Sequence, residues 1–148
     1  NRFMTSSTAA MFIAAVGGMA VAVQAQFMGV MDRSVGNVEA VFITYCGGGV
    51  LIAVVMLLMR GGNLGEWRSI PWYALTSGIF GLVIVGSIGF SVPRLGLVAS
   101  MTILVAVQLL TGAVLDHFGL LGADSRPLDL PRIAGMGVLV TGIWLTIR

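Results

Sequence analysis

The sequence predicts an all-α membrane protein with five transmembrane helices, and two properties of its composition lead to that prediction. Only 9% of the 148 residues are Asp, Glu, Lys or Arg, whereas soluble domains contain about 25%. Hydrophobic residues make up 57% of the chain, and its mean hydropathy is +1.01. Six acidic and eight basic residues cannot cover the surface of a soluble domain of this size. We therefore expect lipid to surround most of the chain.

The charged residues separate five apolar stretches, and four of these are long enough to cross a membrane. A hydrocarbon core of about 30 Å requires about 20 helical residues. The last stretch has only 15 residues, 133–147, but Arg132 and Arg148 flank it, and long side chains of this kind extend to the two interfaces. The predicted spans, within a single domain of residues 1–148, are 8–31, 38–59, 70–91, 95–115 and 130–147.

The segments between these spans contain residues typical of helix ends. Asn37 is predicted to cap helix two, and Asp129 to cap helix five, with Pro131 in the first turn of that helix. Residues 92–96 are predicted to form a tight reversal between helices three and four. Aromatic side chains that favour the headgroup level cluster where the connection from helix two meets helix three; they are Trp67, Trp72 and Tyr73.

Glycine accounts for 21 residues, many of them inside the predicted spans. Small residues let helices approach closely in lipid, which provides little hydrophobic drive for helix association. The triplet at 47–49 interrupts helix two and has two interpretations, helix packing or a hinge that lines a pathway. Two other sets of small residues indicate packing; they are Ala14, Gly18 and Ala22 in helix one, and Gly78, Gly81, Gly86 and Gly89 in helix three.

The distribution of arginine favours an antiparallel homodimer. Five spans place the two termini on opposite faces, and the arginines then divide five against three. Orientation is normally fixed by a clear excess of positive charge in cytoplasmic loops, so this weak excess is consistent with insertion both ways round. Five helices also enclose a solute poorly, whereas ten suit inverted-repeat transporters. The alternatives are a parallel dimer and a single orientation. One face has Arg2, Arg60, Arg68, Arg126 and Arg132, and the other has Arg33, Arg94 and Arg148.

Polar residues inside the spans are the candidates for binding, because placing them in lipid is costly. Gln108, Gly112 and Asp116 are spaced by four and therefore share one face of helix four. That stripe suits the wall of a cavity that admits a small polar or cationic solute. The alternative is an interhelical hydrogen bond from Gln108 and a solvated Asp116.

Further candidates lie in helices one and two. Glu39 begins helix two, where a carboxylate either complements the helix dipole or binds a proton or cation. Gln24 and Gln26 are two residues apart, about 200° around a helix, so they cannot face one cavity. The predicted residues for substrate or coupling-ion binding are Glu39, Gln24, Tyr45, Gln108 and Asp116, with Gln26, Thr44, Arg94 and His117 as secondary candidates.

Several function classes have no support in the sequence. It lacks a Walker-type loop, a GxSxG motif and an HExxH motif, so no enzyme, metal or cofactor is predicted. Cys46 is the single cysteine, which excludes an internal disulfide. No run of basic residues forms a nucleic-acid patch. The predicted partners are the lipid bilayer, a small-molecule substrate and a second copy of the chain.

Four segments resemble the YdcZ-like bacterial family of the drug/metabolite transporter superfamily. They are residues 92–96, the Gln-Leu-Leu of 108–110, the Leu-Asp-His-Phe-Gly-Leu-Leu-Gly of 115–122, and 126–128. Gln24 and the start of helix two at Glu39 also fit. The resemblance implies a multi-pass protein of the bacterial inner membrane, akin to half of a ten-span transporter and assembled as an inverted dimer.

The resemblance also implies a function, transport of a small metabolite or drug-like solute by alternating access. Small multidrug-resistance relatives exchange protons for organic cations through an acidic residue, so antiport with protons is expected here by analogy. The acid would be Glu39 or Asp116, because no Asp or Glu lies in the middle of a span. The alternative function is a non-transporting membrane interaction or assembly subunit, whose glycines contact partner helices.

Overall fold

The computed structural model describes residues 2–122 and 128–147, with the side chains of 8–121 and 128–146. The described residues form five α-helices with short 3-10 helices between them, and no strand. The α-helices are α1 (Arg2–Val35), α2 (Asn37–Leu58), α3 (Ser77–Leu95), α4 (Leu97–Phe118) and α5 (Leu130–Ile147). The 3-10 helices are Leu64–Ser69, Ala74–Thr76 and Leu120–Gly122.

Four segments are long and apolar enough to cross a membrane, and α5 is a shorter apolar helix. Large apolar side chains are exposed along all five helices, as expected where lipid is the solvent. The predicted all-helical membrane protein is therefore confirmed, while the fifth span and the single domain stay predictions. The four segments are Thr8–Val35, Asn37–Leu58, Ala74–Leu95 and Leu97–Phe118.

Both ends of α3 differ from the prediction. The helix begins at Ser77 rather than residue 70, because the preceding residues form 3-10 turns around Pro71, whose carbonyl accepts from the Ala74 N–H at 2.9 Å. At its other end, α3 continues through Pro93 to Leu95 and α4 begins at Leu97, so Gly96 alone of the predicted 92–96 connection lies outside a helix. Since Pro93 lies in the last turn, only one backbone hydrogen bond is lost.

A single glycine, Gly36, connects α1 to α2. Its φ of 102° and ψ of 160° lie in a region that is essentially restricted to glycine. The Gly36 carbonyl accepts the first hydrogen bond of α2, from the Ala40 N–H at 3.0 Å. The prediction that Asn37 caps helix two was therefore wrong: Asn37 is the first helical residue, and its Nδ2 donates to the Gly86 carbonyl of α3 at 3.0 Å.

The chain divides into two compact units, Asn1–Arg94 and Leu95–Arg148, each of which is described by itself. In the first unit, α1 and α2 are antiparallel. The Thr44 hydroxyl donates to Met28 Sδ at 3.0 Å, and each residue is eight positions from Gly36. Met28 is fully buried, so the core of this unit lies at the Gly36 end of the helix pair.

Of the α3 glycines predicted to pack against other helices, Gly81 and Gly89 make close contacts with α2, whereas Gly78 has no neighbour within 4 Å of the position a Cβ would take. The Tyr45 hydroxyl lies directly against Gly81, and the Asn37 side-chain oxygen lies directly against Gly89. In contrast, Gly18 has no neighbour within 4 Å of the position a Cβ would take, and the same holds for 47–49. The expected interruption at 47–49 was wrong, because α2 is helical throughout the triplet.

The second unit contains α4 and α5. The α4 helix ends at Gly119, which has a left-handed conformation (φ 60°) and donates to the Leu115 carbonyl. Asp129 Oδ1 accepts a hydrogen bond from the Arg132 N–H at 3.0 Å, which confirms the predicted cap of helix five. The predictions that involve Arg126 and Arg148 lie outside the described residues.

We predict that Gly89→Ala destabilises the protein and that Gly86→Ala does not. A Cβ on Gly89 would overlap the Asn37 oxygen and lie 3.0 Å from the Met28 methyl group, whereas a Cβ on Gly86 would have no neighbour closer than 3.8 Å. Overpacking of this kind costs about 1–3 kcal/mol, and the helix-propensity gain is the same for both variants. Thermal unfolding in detergent measures the difference. Equal unfolding temperatures for the two variants would contradict the described α2–α3 contact.

Candidate functional site

The second unit has a groove of about 450 Å³ between α4 and α5, a volume within the usual range for small-molecule sites. Gln108, Gly112 and Asp116 of α4 line it together, because their spacing of four residues puts them on one face. Arg132 and Gly135 are among the residues that α5 contributes. The remaining lining is mainly apolar, with Leu109, Leu110, Ala113, Met136, Leu139 and Val140.

The polar side chains of this groove make no side-chain hydrogen bond or ion pair with other described residues. The Gln108 carboxamide makes no hydrogen bond within the described residues. Asp116 is half-buried, and no ion pair within 4 Å joins it to Arg132. A Cβ on Gly112 or Gly135 would have no neighbour within 4 Å, so the middle of the groove is open. These groups are available to a solute or to water.

His117 has a structural contact beside the groove. Its Nδ1 accepts a hydrogen bond from the Leu128 N–H at 3.3 Å, and its ring packs edge-on against Phe118. The side chain therefore ties the segment before α5 to the end of α4.

The first unit has a separate groove of about 560 Å³ that includes Gln24 and Thr44. Its other lining residues are apolar, and Gln26 is not among them. Gln26 is exposed. The two glutamines thus point in different directions, as their spacing around the helix requires.

Glu39 and Tyr45 lie apart from that groove. The Glu39 side chain is exposed and folds back over Gly36, with Oε2 2.6 Å from the position that a Cβ on Gly36 would take. This places the carboxylate at the N-terminus of α2, where it complements the helix dipole. The Tyr45 hydroxyl contacts Gly81 of α3.

Arg94 links the ends of α1 and α3. Its Nη1 lies 3.3 Å from Asp32 Oδ2, in the one ion pair among the described residues. The same guanidinium lies over the Phe90 ring, 3.6 Å from its centroid. The Asp32 side chain is only 10% exposed, so this pair fastens the helix ends rather than offering free charges.

Sequence reasoning missed the position of Arg132 in the α4–α5 groove. It treated Arg132 only as a charge that flanks a short span and contributes to topology. Arg132 and Gly135 are three residues apart on α5, and that spacing is a signal that could have placed them on one face.

Comparison with known proteins decides the family. The model of the family described as "Putative inner membrane exporter, YdcZ" matches residues 9–145. The chain belongs to the YdcZ family. It is also similar to the inner membrane protein YdcZ of Escherichia coli (strain K12), with 32% identity over 103 residues, which cover 68% of each chain. No solved structure matches the chain.

Membership of the YdcZ family confirms the resemblance seen in the sequence. Together with the long apolar helices, it makes the chain a multi-pass protein of the inner membrane. At a coarse level it also supports membrane transport, since the family is described as an exporter and not as an enzyme.

Proposed function

We propose that the chain is a secondary active transporter of the drug/metabolite type, which moves a small metabolite or drug-like solute by alternating access. The α4–α5 groove is the part of the chain that contacts the solute. The observation that carries this proposal is the pair Gln108 and Asp116, which line an open groove and have no hydrogen-bond or ion-pair partner among the described residues. Polar residues inside a membrane are costly, so a pair that the fold does not use indicates function.

The two side chains differ in depth along α4. Asp116 is two residues from the end of the helix, and Gln108 is eight residues earlier, about 12 Å along the axis. Asp116 attracts the cationic group of the solute at the mouth of the groove, and Gln108 donates and accepts hydrogen bonds near the middle of the span. The apolar lining accommodates the rest of the solute.

Proton coupling follows from competition for a carboxylate. A carboxylate that binds a proton is neutral and no longer attracts a cation, so proton and solute exchange at one group. Asp116 is the first candidate because it lines the groove. Glu39 is the second, with Gln24, Thr44 and Tyr45 as the polar residues of its own unit that would complete a solute path.

We further propose that the working unit is an antiparallel homodimer. In the predicted five-span topology, helix two begins at one membrane face and helix four ends at the other. An inverted second copy would therefore place one Glu39 and one Asp116 at each membrane face. Ten helices in this arrangement form the inverted-repeat architecture in which transporters place a solute near the membrane midplane.

The alternative, a non-transporting interaction subunit, has less support. In that role Gln108 would form hydrogen bonds with a helix of a partner protein, and the absence of a hydrogen bond within the described residues fits that role as well. An open groove at its position favours solute binding instead.

We predict that Asp116→Asn lowers proton-coupled current at least tenfold, because a neutral amide attracts neither a proton nor a cation. Glu39→Gln is measured in parallel, and a comparable loss would assign coupling to both acids. The measurement uses liposomes on solid-supported membranes, an imposed pH gradient, and a panel of amines, amino acids and organic cations. Glu66→Gln, in an exposed 3-10 helix, is the matched control and should keep the wild-type current. Equal currents for wild type and Asp116→Asn would remove Asp116 from the mechanism.

The antiparallel dimer predicts that the chain inserts in both orientations. A reporter fused after residue 148 should be active on both sides of the inner membrane, because the arginine excess that sets orientation is small. Paired alkaline phosphatase and green fluorescent protein fusions measure the two populations. Activity on one side alone would exclude dual insertion.

A further inference from the structure

Two opposite charges line the α4–α5 groove without pairing. Asp116 comes from α4 and Arg132 from α5, yet the one ion pair of the described residues is Asp32–Arg94. The backbone N–H of Arg132 bonds to Asp129, but its guanidinium makes no hydrogen bond within the described part of the chain. No described residue therefore pairs with either charged group.

Beyond the two charges, the described lining is apolar over a considerable length except at Gln108. Val140 is eight residues after Arg132, and Gln108 is eight residues before Asp116, so the groove follows each helix for about 12 Å. Gly112 and Gly135 leave its middle unfilled. An occupant of this shape has a charged end and an apolar body.

From this juxtaposition we propose that the groove takes an amphiphilic zwitterion, a molecule with an ammonium group, an anionic group and an apolar part. This inference rests on the proposed function and specifies its substrate class. A simple cation would pair with Asp116 but would be repelled by Arg132. A simple anion would pair with Arg132 but would be repelled by Asp116. A ligand with both charges satisfies both side chains, and charge complementarity then rejects either singly charged analogue.

Phenylalanine and two of its derivatives test this inference, since they share one apolar side chain and differ in the charges of their polar groups. L-Phenylalanine is the zwitterion, L-phenylalaninamide the cation, and N-acetyl-L-phenylalanine the anion. Binding to the full chain is measured by calorimetry in nanodiscs of phosphatidylglycerol, which has no ammonium group. The expected dissociation constant of the zwitterion is at least tenfold below that of either analogue.

Two variants should separate the two charges. Asp116→Asn should weaken binding of phenylalanine at least tenfold and should not weaken that of N-acetylphenylalanine, because the ammonium site is lost and the charge that repels the anion is removed. Arg132→Gln should weaken binding of phenylalanine equally and should not weaken that of phenylalaninamide, because the charge that repels the cation is removed. Gly112→Leu should abolish binding of all three by filling the groove, while Gly78→Leu, at an open position outside the groove lining, should bind as wild type does.

A membrane lipid has the same chemistry, because phosphatidylethanolamine also combines an ammonium group, an anion and apolar chains. Native mass spectrometry from nanodiscs that contain it identifies this source: wild type should retain the lipid, and the Asp116→Asn, Arg132→Gln double variant should lose it.

Retention of either zwitterion through both residues supports the proposal. Tighter binding of the cation, an Arg132→Gln variant with unchanged affinity for phenylalanine, or no zwitterion bound at all would overturn it. A current driven by cations alone would leave the transport function intact and refute only the zwitterion.

Discussion

The constraint on which this account depends is the absence of water from the hydrocarbon core, where a polar group without a partner costs several kcal/mol. Many described hydroxyls satisfy it within their own helix, as Thr111 does by donating to the Val107 carbonyl, and Asn37 Nδ2 donates to the Gly86 carbonyl. The buried Asn37 Oδ1 and Ser100 Oγ have no partner among the described residues. Gln108 likewise makes no hydrogen bond in the described chain, and it lies at the centre of α4. Water or a solute must therefore reach it, and the groove beside it provides the space.

Much of the fold could be predicted from composition and from the positions of charges, because both report directly on the lipid solvent. The cap at Asp129 was also predictable, since a short acidic side chain before a proline in the first turn is a local signal. The assignment of Asn37 as a cap failed because its side chain bonds to α3, a tertiary contact without a local signature. The interruption at 47–49 failed because a helix in lipid tolerates glycines that nothing crowds.

The candidate site was predictable on one helix at a time. The spacing of Gln108, Gly112 and Asp116 defined their common face, and the groove lining contains all three. What the spacing could not supply was the opposing wall, because helix pairing is decided by close contacts rather than by a sequence pattern. The sequence therefore indicated only that Arg132 contributes to membrane topology. The pairing of α5 with α4 places this positive charge in the same groove as the negative charge of Asp116.

The most direct test of the central claim is whether water reaches position 108. With Cys46→Ser removing the single native cysteine, Gln108→Cys is exposed in liposomes to a membrane-impermeant thiol reagent, and Val107→Cys is the control because Val107 is exposed outside the groove lining. Thiols react as thiolates, which form only in water. The account predicts rapid modification at 108 and little at 107. Equally slow reaction at both positions would show a dry, lipid-sealed α4–α5 contact and contradict the account.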